Sequence, residues 1–447
     1  MANFLAKAFG FDATKHDVRT EIIAGITTFL TMAYILAVNP AIFGNLGAIL
    51  GPEKGMPVGA VFTATALAAF VATMVMAFYA KKPFALAPGM GLNAFFVFTV
   101  CVTMGYSWQF ALTAVLIEGI IFIILSATKV RTWILNSIPV SMKHAIGAGI
   151  GLFIAFIGLQ NAGIIVNNDA TLVGLGKLTE GKALLGVIGL VISGTLAMLH
   201  VRGGILLGIL STAVIGIFIK DPATGAAITQ FNGVVSMPDS VRPTFCQFEW
   251  NQILTVDMWV VVLTFLFIDM FDTMGTVVGV SQKAGFVDEK GNIEGAEKVF
   301  MSDAIGTVVG ACLGTSTTTT YVESAAGVGQ GGRTGLTAFT AAICFGIALF
   351  FSPLFLAIPG AATAPALIIV GMMMMNPVRM IDWTNYRESI PAFLTVVIMP
   401  LAYSISDGIL IGVISYVVLY ALSGKWKSIS PTMWVLAVLF ILKYIFI

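Results

Sequence analysis

The chain has 447 residues, of which 58% are hydrophobic and only 10% charged, with a formal net charge of +1. That balance excludes a soluble globular domain and offers no basic surface for a nucleic-acid partner. Three histidines and four irregularly spaced cysteines (Cys101, Cys246, Cys312, Cys344) form neither a disulfide framework nor a metal pattern, so no metal and no cofactor are expected.

The segment 1–21 is charged and lacks the apolar core and cleavage site of a signal peptide, so a retained first span is expected from Ile22 onward. Apolar runs of roughly 20 residues then recur, each long enough to cross ~30 Å of hydrocarbon. Hydropathy predicts fourteen spans, at about 22–42, 57–80, 84–104, 109–127, 138–160, 183–200, 203–219, 255–280, 297–313, 315–332, 336–352, 354–375, 389–404 and 407–422. The stretch 431–447 is apolar but short, readable as an interfacial helix or as a further span.

Basic residues concentrate in alternate connections. Lys7, Lys15 and Arg19 precede the first span; Lys81 and Lys82 follow the second, Lys129 and Arg131 the fourth, and His200 and Arg202 the sixth. Lys283, Lys290 and Lys298 follow the eighth, Arg333 the tenth, Arg379 and Arg387 the twelfth, and Lys425 and Lys427 the fourteenth. The positive-inside rule then predicts that both termini are cytoplasmic.

The two halves echo one another. Gly204-Ile-Leu-Leu-Gly-Ile-Leu-Ser211 matches Gly408-Ile-Leu-Ile-Gly-Val-Ile-Ser415, Ile138-Pro139 matches Ile358-Pro359, and Thr28-Phe29-Leu30 matches Thr264-Phe265-Leu266. Two copies of seven spans, an odd number, must enter the membrane from opposite faces. Such inverted repeats characterise secondary transporters, whose substrate sits near the midplane at broken helices in corresponding positions.

Breaks are predicted in spans three and ten. Pro88, Gly89 and Gly91 interrupt the first, ahead of a helix starting near Asn93; a run of six Ser/Thr residues, 315–320, interrupts the other just before Glu323. Tight helix packing is the competing role for these Gly and Thr residues, but it gives no use for Glu323.

Acids inside a membrane are expensive, so Glu118, Asp269, Asp272 and Glu323 mark candidate transport or ion-coupling positions. Asp269 and Asp272, spaced i and i+3, can look into one cavity. Two carboxylates that close in a low dielectric do not both ionise easily, which makes one a candidate proton carrier. A structural cap near Gly275 is the alternative for Asp272. Glu323 can accept two adjacent N–H donors, the edge a purine such as guanine presents, or it can bind a cation. Glu118, isolated in span four, reads as structural. Lys143 and His144 read as interfacial, and Met372 to Met375 as filler.

Gly89-Met-Gly-Leu-Asn-Ala-Phe-Phe96, Asp269-Met-Phe-Asp-Thr-Met-Gly-Thr276, Thr320-Tyr-Val-Glu-Ser-Ala-Ala-Gly327 and Gly331-Gly-Arg-Thr-Gly-Leu336 resemble the AzgA-like purine permeases. These are a branch of the nucleobase–cation symporter-2 (nucleobase–ascorbate transporter) superfamily, and the similarity runs over essentially the whole chain. It implies an all-α polytopic membrane protein of about fourteen spans in a seven-plus-seven inverted repeat. Core segments are expected at 22–127 and 255–352, gate segments at 138–219 and 354–422, an external loop at 220–254 and a C-terminal segment at 423–447.

The resemblance further implies Asn93, Asp269 and Glu323 as substrate-binding residues, with backbone near Gly91 and Ser324. Asp272, alongside Asp269, would serve proton coupling or gating. Expected partners are a purine nucleobase, protons, membrane lipid and a second copy of the chain, in a bacterial inner (plasma) membrane. The expected function is proton-coupled purine uptake, guanine and hypoxanthine ahead of adenine. A carrier of the same fold for adenine, uracil or xanthine, or a channel, is the alternative; no enzymatic constellation appears.

Overall fold

The structure, a computed structural model, describes residues 2–128, 138–201, 203–222, 224–231, 233–286 and 293–446. Lys129, Arg131, Arg202 and Lys290 of the basic-residue pattern lie outside these. After a short α1 (Ala2–Phe9), the Asp17 carboxylate accepts the Thr20 N–H at 2.9 Å and starts α2 (Val18–Met32). The first span is not the single helix expected over 22–42. Ala33 and Tyr34 form a turn between α2 and α3 (Ile35–Leu50). There the ladder tightens to i→i+3 bonds, Leu36 to Ala33 and Ala37 to Tyr34, one turn before Pro40 removes a donor.

The second span, α4 (Val58–Val75), ends in a π-helical turn, Met76–Ala80. The third is discontinuous: β1 (Leu86–Pro88) is followed by α5 (Met90–Ala94), which runs on as a π-helix over Phe95–Thr103. Ser107 then caps α6 (Trp108–Ala127), accepting the Phe110 N–H at 3.0 Å. Next come α7 (Val140–Asn161), β2 (Ile165–Asn168), β3 (Leu172–Leu175), α8 (Gly181–Met198) and α9 (Gly204–Gly216). Strands β2 and β3 pair antiparallel, so the fold, expected to be all-α, is mostly and not purely helical.

The second half contains α10 (Val256–Ala284), α11 (Ala296–Leu313), β4 (Thr318–Thr320), α12 (Ser324–Gly329), α13 (Gly335–Ala348) and α14 (Ser352–Leu356). It closes with α15 (Gly360–Met374), α16 (Tyr386–Leu401), α17 (Ile405–Leu422) and α18 (Pro431–Phe446). Residues 352–356, the boundary between the predicted spans eleven and twelve, continue the eleventh, and the twelfth starts only after Pro359. Among the described residues, eight helical stretches are long and apolar enough to cross a membrane. Met90–Thr103 and Gly204–Gly216 are apolar but shorter, the first because extended chain supplies part of its path.

Helices α2, α4, α6, α10, α11 and α13 pack into one group, and α7, α8, α9, α15, α16 and α17 into another. Within the second group, Pro139 and Pro359 hold matching extended conformations at the starts of α7 and α15. These helices cross so closely that a Cβ on Gly151 would lie 2.5 Å from the Gly371 carbonyl oxygen, and one on Gly371 would lie 2.4 Å from that of Gly151. The contact is reciprocal, as small-residue crossings between related elements are.

Candidate functional site

The two extended breaks pair with each other. Leu86, Ala87 and Pro88 stand opposite Thr320, Thr319 and Thr318 in an antiparallel register. Backbone N–H groups of Gly89 and Tyr321 extend the ladder to Thr317 and Ala85, each at 3.0 Å. Chain lacking helical bonds at this depth must be satisfied by protein. Here Thr73 Oγ1 both accepts the Leu86 N–H (2.9 Å) and donates to the Leu86 carbonyl (3.1 Å), while Ser324 Oγ accepts the Ala85 N–H at 3.0 Å.

The Ser/Thr run does more than extend. Thr315 Oγ1 accepts from Asn39 Nδ2 at 3.0 Å, Ser316 donates to Asn93 Oδ1, and Thr317 donates to Glu118 at 3.1 Å. Thr319 hydrogen-bonds Asp272, and Thr320 donates to Asp303 at 3.0 Å. Five polar side chains from α3, α5, α6, α10 and α11 therefore converge on the run 315–320 through its hydroxyls. Asp303 also accepts from Thr273 at 2.7 Å, and the same hydroxyl lies 3.1 Å from Asp269 Oδ1.

Beside the strand pair is a cavity of about 60 Å³, lined by Tyr34, Gly91, Thr319 and Glu323 from the broken spans, by Asp272 of α10 and by Val370 and Met374 of α15. Glu323 Oε1 accepts the Tyr34 hydroxyl at 2.5 Å. The break after Met32 is what turns Tyr34 toward this carboxylate. A Cβ on Gly91 would meet Ile150 Cγ2 of α7 at 2.8 Å, so the two helix groups approach closely at this wall. A larger cavity, about 400 Å³, lies between the ends of α3 and α7, near Asn45, Asn161, Lys182 and Gln230. It contains none of the broken-span residues.

The expected site residues separate into two layers. Gly91, Asp272 and Glu323 line the small cavity. Asn93, Asp269 and Ser324 do not: all three are fully buried and engaged behind it, with Ser316, Thr273 and Ala85 respectively. The two span-eight acids thus face different partners instead of one cavity. Glu118 is fully buried and accepts from the Thr317 hydroxyl.

Asp303 and Tyr34 were not singled out from sequence. Asp303 follows Glu297, Lys298 and Ser302, so it resembles a polar helix entrance, and nothing around Tyr34 except the nearby Pro40 signals a break.

A polytopic helical fold with two discontinuous spans crossing at a cavity between two helix groups defines a membrane transporter. Solved structures with that fold include the transmembrane domain of the cyanobacterial bicarbonate transporter BicA (TM-score 0.60, 14% identity, covering 88% of this chain and 97% of that one). The murine Slc26a9 anion transporter in the inward-facing state is another (TM-score 0.64, 10% identity, 93% and 70% covered). The permease-family model (Xan_ur_permease) matches residues 19–411, and the chain belongs to that family. It is 47% identical to the guanine/hypoxanthine permease PbuG of Bacillus subtilis, over 98% of this chain and 99% of the relative. It is also 47% identical to a putative permease of Methanocaldococcus jannaschii, over 99% of each chain. Identity to the adenine permease AdeP of Escherichia coli is 42%, over 96% and 93%. The chain is a permease of the membrane, not an enzyme.

Proposed function

We propose that this permease carries purine nucleobases into the cell by proton symport, hypoxanthine and guanine ahead of adenine. The observation that carries the reading is the pair of cavity-facing carboxylates, Asp272 and Glu323, at the junction of two broken spans. An oxopurine offers N1–H and, in guanine, an adjacent amine to a planar two-oxygen acceptor, and Glu323 is held for that task by Tyr34. Similarity to PbuG supports the oxopurine; similarity to AdeP makes adenine the second reading.

In this cycle Asp272 and Glu323 meet the base, while Asn93, Asp269 and Ser324 position the chain behind them. Asn93 Nδ2, buried without a hydrogen-bond partner among the described residues, is a donor free to join the base as the cavity widens. A space of about 60 Å³ holds about two waters and is too small for a bicyclic base, so the helix groups must separate to load it. We assign the α2–α6 and α10–α13 group as a core and the α7–α9 and α15–α17 group as a gate, within fourteen spans in two inverted repeats. Protonation of Asp272 removes a buried charge and permits core and gate to move past each other; deprotonation at the inner side releases the base. Both termini lie in the cytoplasm and residues 220–254 outside, in an inner (plasma) membrane, with the chain working as a homodimer.

The test is uptake of labelled hypoxanthine, guanine and adenine by cells lacking their own carriers. Saturable hypoxanthine and guanine uptake that an uncoupler collapses is expected. Uptake sustained by a sodium gradient would exclude proton coupling, and preference for adenine would reverse the substrate order.

A further inference from the structure

The long connection before α10 docks on the C-terminal end of α11. Thr244 Oγ1 donates to the Leu313 carbonyl at 2.9 Å, and the Cys246 N–H donates to the Cys312 carbonyl at 2.8 Å. These bonds satisfy carbonyls that a helix end leaves without partners. The same docking brings two thiols together: the side chains of Cys246 and Cys312 are within hydrogen-bonding distance of each other. Both are free thiols; Cys246 is exposed and Cys312 partly so. The backbone bond and the thiol–thiol contact are made by the same two residues, the proximity that a disulfide requires. Cys101 is buried and Cys344 is not paired with either.

We propose that Cys246 and Cys312 form a dithiol that oxidises to an intramolecular disulfide, stapling the external connection to the end of α11. The chemistry is exchange with an oxidised disulfide from the outer medium. The exposed Cys246 thiolate attacks one sulfur of that disulfide, giving a mixed disulfide and one free thiol. Cys312 then attacks the Cys246 sulfur and expels the second thiol. One disulfide is reduced as one forms, and the two cysteine protons end on the two departing thiols. The staple acts next to Thr315 and Ser316, so it would tether the outer anchor of the tenth span, whose hydroxyls hold Asn39 and Asn93. Only the direction from which the oxidant arrives rests on the orientation proposed above.

The experiment treats the full-length protein in detergent with oxidised glutathione, then denatures it and counts maleimide-reactive thiols. Loss of two of the four thiols without added glutathione mass is expected, with a Cys246–Cys312 cross-linked peptide on digestion. Cys246→Ser and Cys312→Ser should each abolish that cross-link. Retention of all four thiols, or glutathione adducts that Cys312 never displaces, would overturn the pairing. In intact cells first treated with an impermeant phosphine reductant, an impermeant sulfonated maleimide should label Cys246. Labelling only after the membrane is opened would overturn the outward placement, independently of the pairing result and of any purine uptake.

Discussion

At the scale of the residue, the decisive contrast is between Asp269 and Asp272. They are three positions apart, about 60° around an ideal helix, yet one is buried on Thr273 and the other lines the cavity. Asp272→Asn is therefore expected to abolish proton-driven hypoxanthine uptake with membrane levels unchanged, measured by uptake against immunoblot. Asp269→Asn should lower folded yield along with uptake, because it disturbs the Thr273 hydroxyl that Asp269 and Asp303 share. Tyr34→Phe deletes a hydrogen bond to a charged group, worth about 1.5–3 kcal/mol. The Michaelis constant for hypoxanthine should rise about tenfold or more. Sequence made the acids conspicuous because burial of a charge in lipid is costly. It did not reveal Asp303, whose polar neighbours disguise it, nor Tyr34, whose role depends on a turn at Ala33–Tyr34, where neither residue is a helix breaker.

At the scale of the element, the strand 318–320 and its flanking residues form a connector. Each hydroxyl-bearing residue in the run except Thr318 has a named polar partner on another element, so substitutions along it should act through stability before they act through chemistry. Glu118→Gln keeps an acceptor for Thr317 and should leave uptake within about twofold of wild type. Glu118→Ala leaves a buried hydroxyl unsatisfied, a cost of about 1–3 kcal/mol, and should lower the thermal unfolding midpoint in detergent. The break itself was legible, since Pro88 cannot donate and a Ser/Thr run disfavours helix. The pairing of the two breaks was not: Leu86 and Thr320 lie far apart in the chain, and only the packed fold brings them into register.

At the scale of the whole molecule, the second helix group closes on itself through small residues where α7 crosses α15. The Gly151–Gly371 crossing leaves no room for a side chain against a backbone carbonyl that cannot swing aside. Gly151→Val is expected to abolish recovery of monodisperse protein on size-exclusion chromatography, whereas a β-carbon at Gly147, which meets open space, should be tolerated. The same comparison separates loss of fold from loss of transport. The matching motifs at 204–211 and 408–415 made an internal repeat legible, and the reciprocal contact of α7 with α15 is consistent with it.

Composition alone determined that this chain lives in a membrane, because a chain so apolar has no soluble state to fold into. Local chemistry determined where two spans break and which acids are out of place, since proline, glycine and buried charge carry their costs wherever they stand. Tertiary packing decided the rest. Which of two neighbouring carboxylates reaches the cavity, what holds Glu323, and how residues 315–320 tie five elements together depend on partners brought from elsewhere in the chain, up to 289 residues away. Helical periodicity narrows a side chain to a face; only the neighbouring helices determine whether that face meets protein or the cavity.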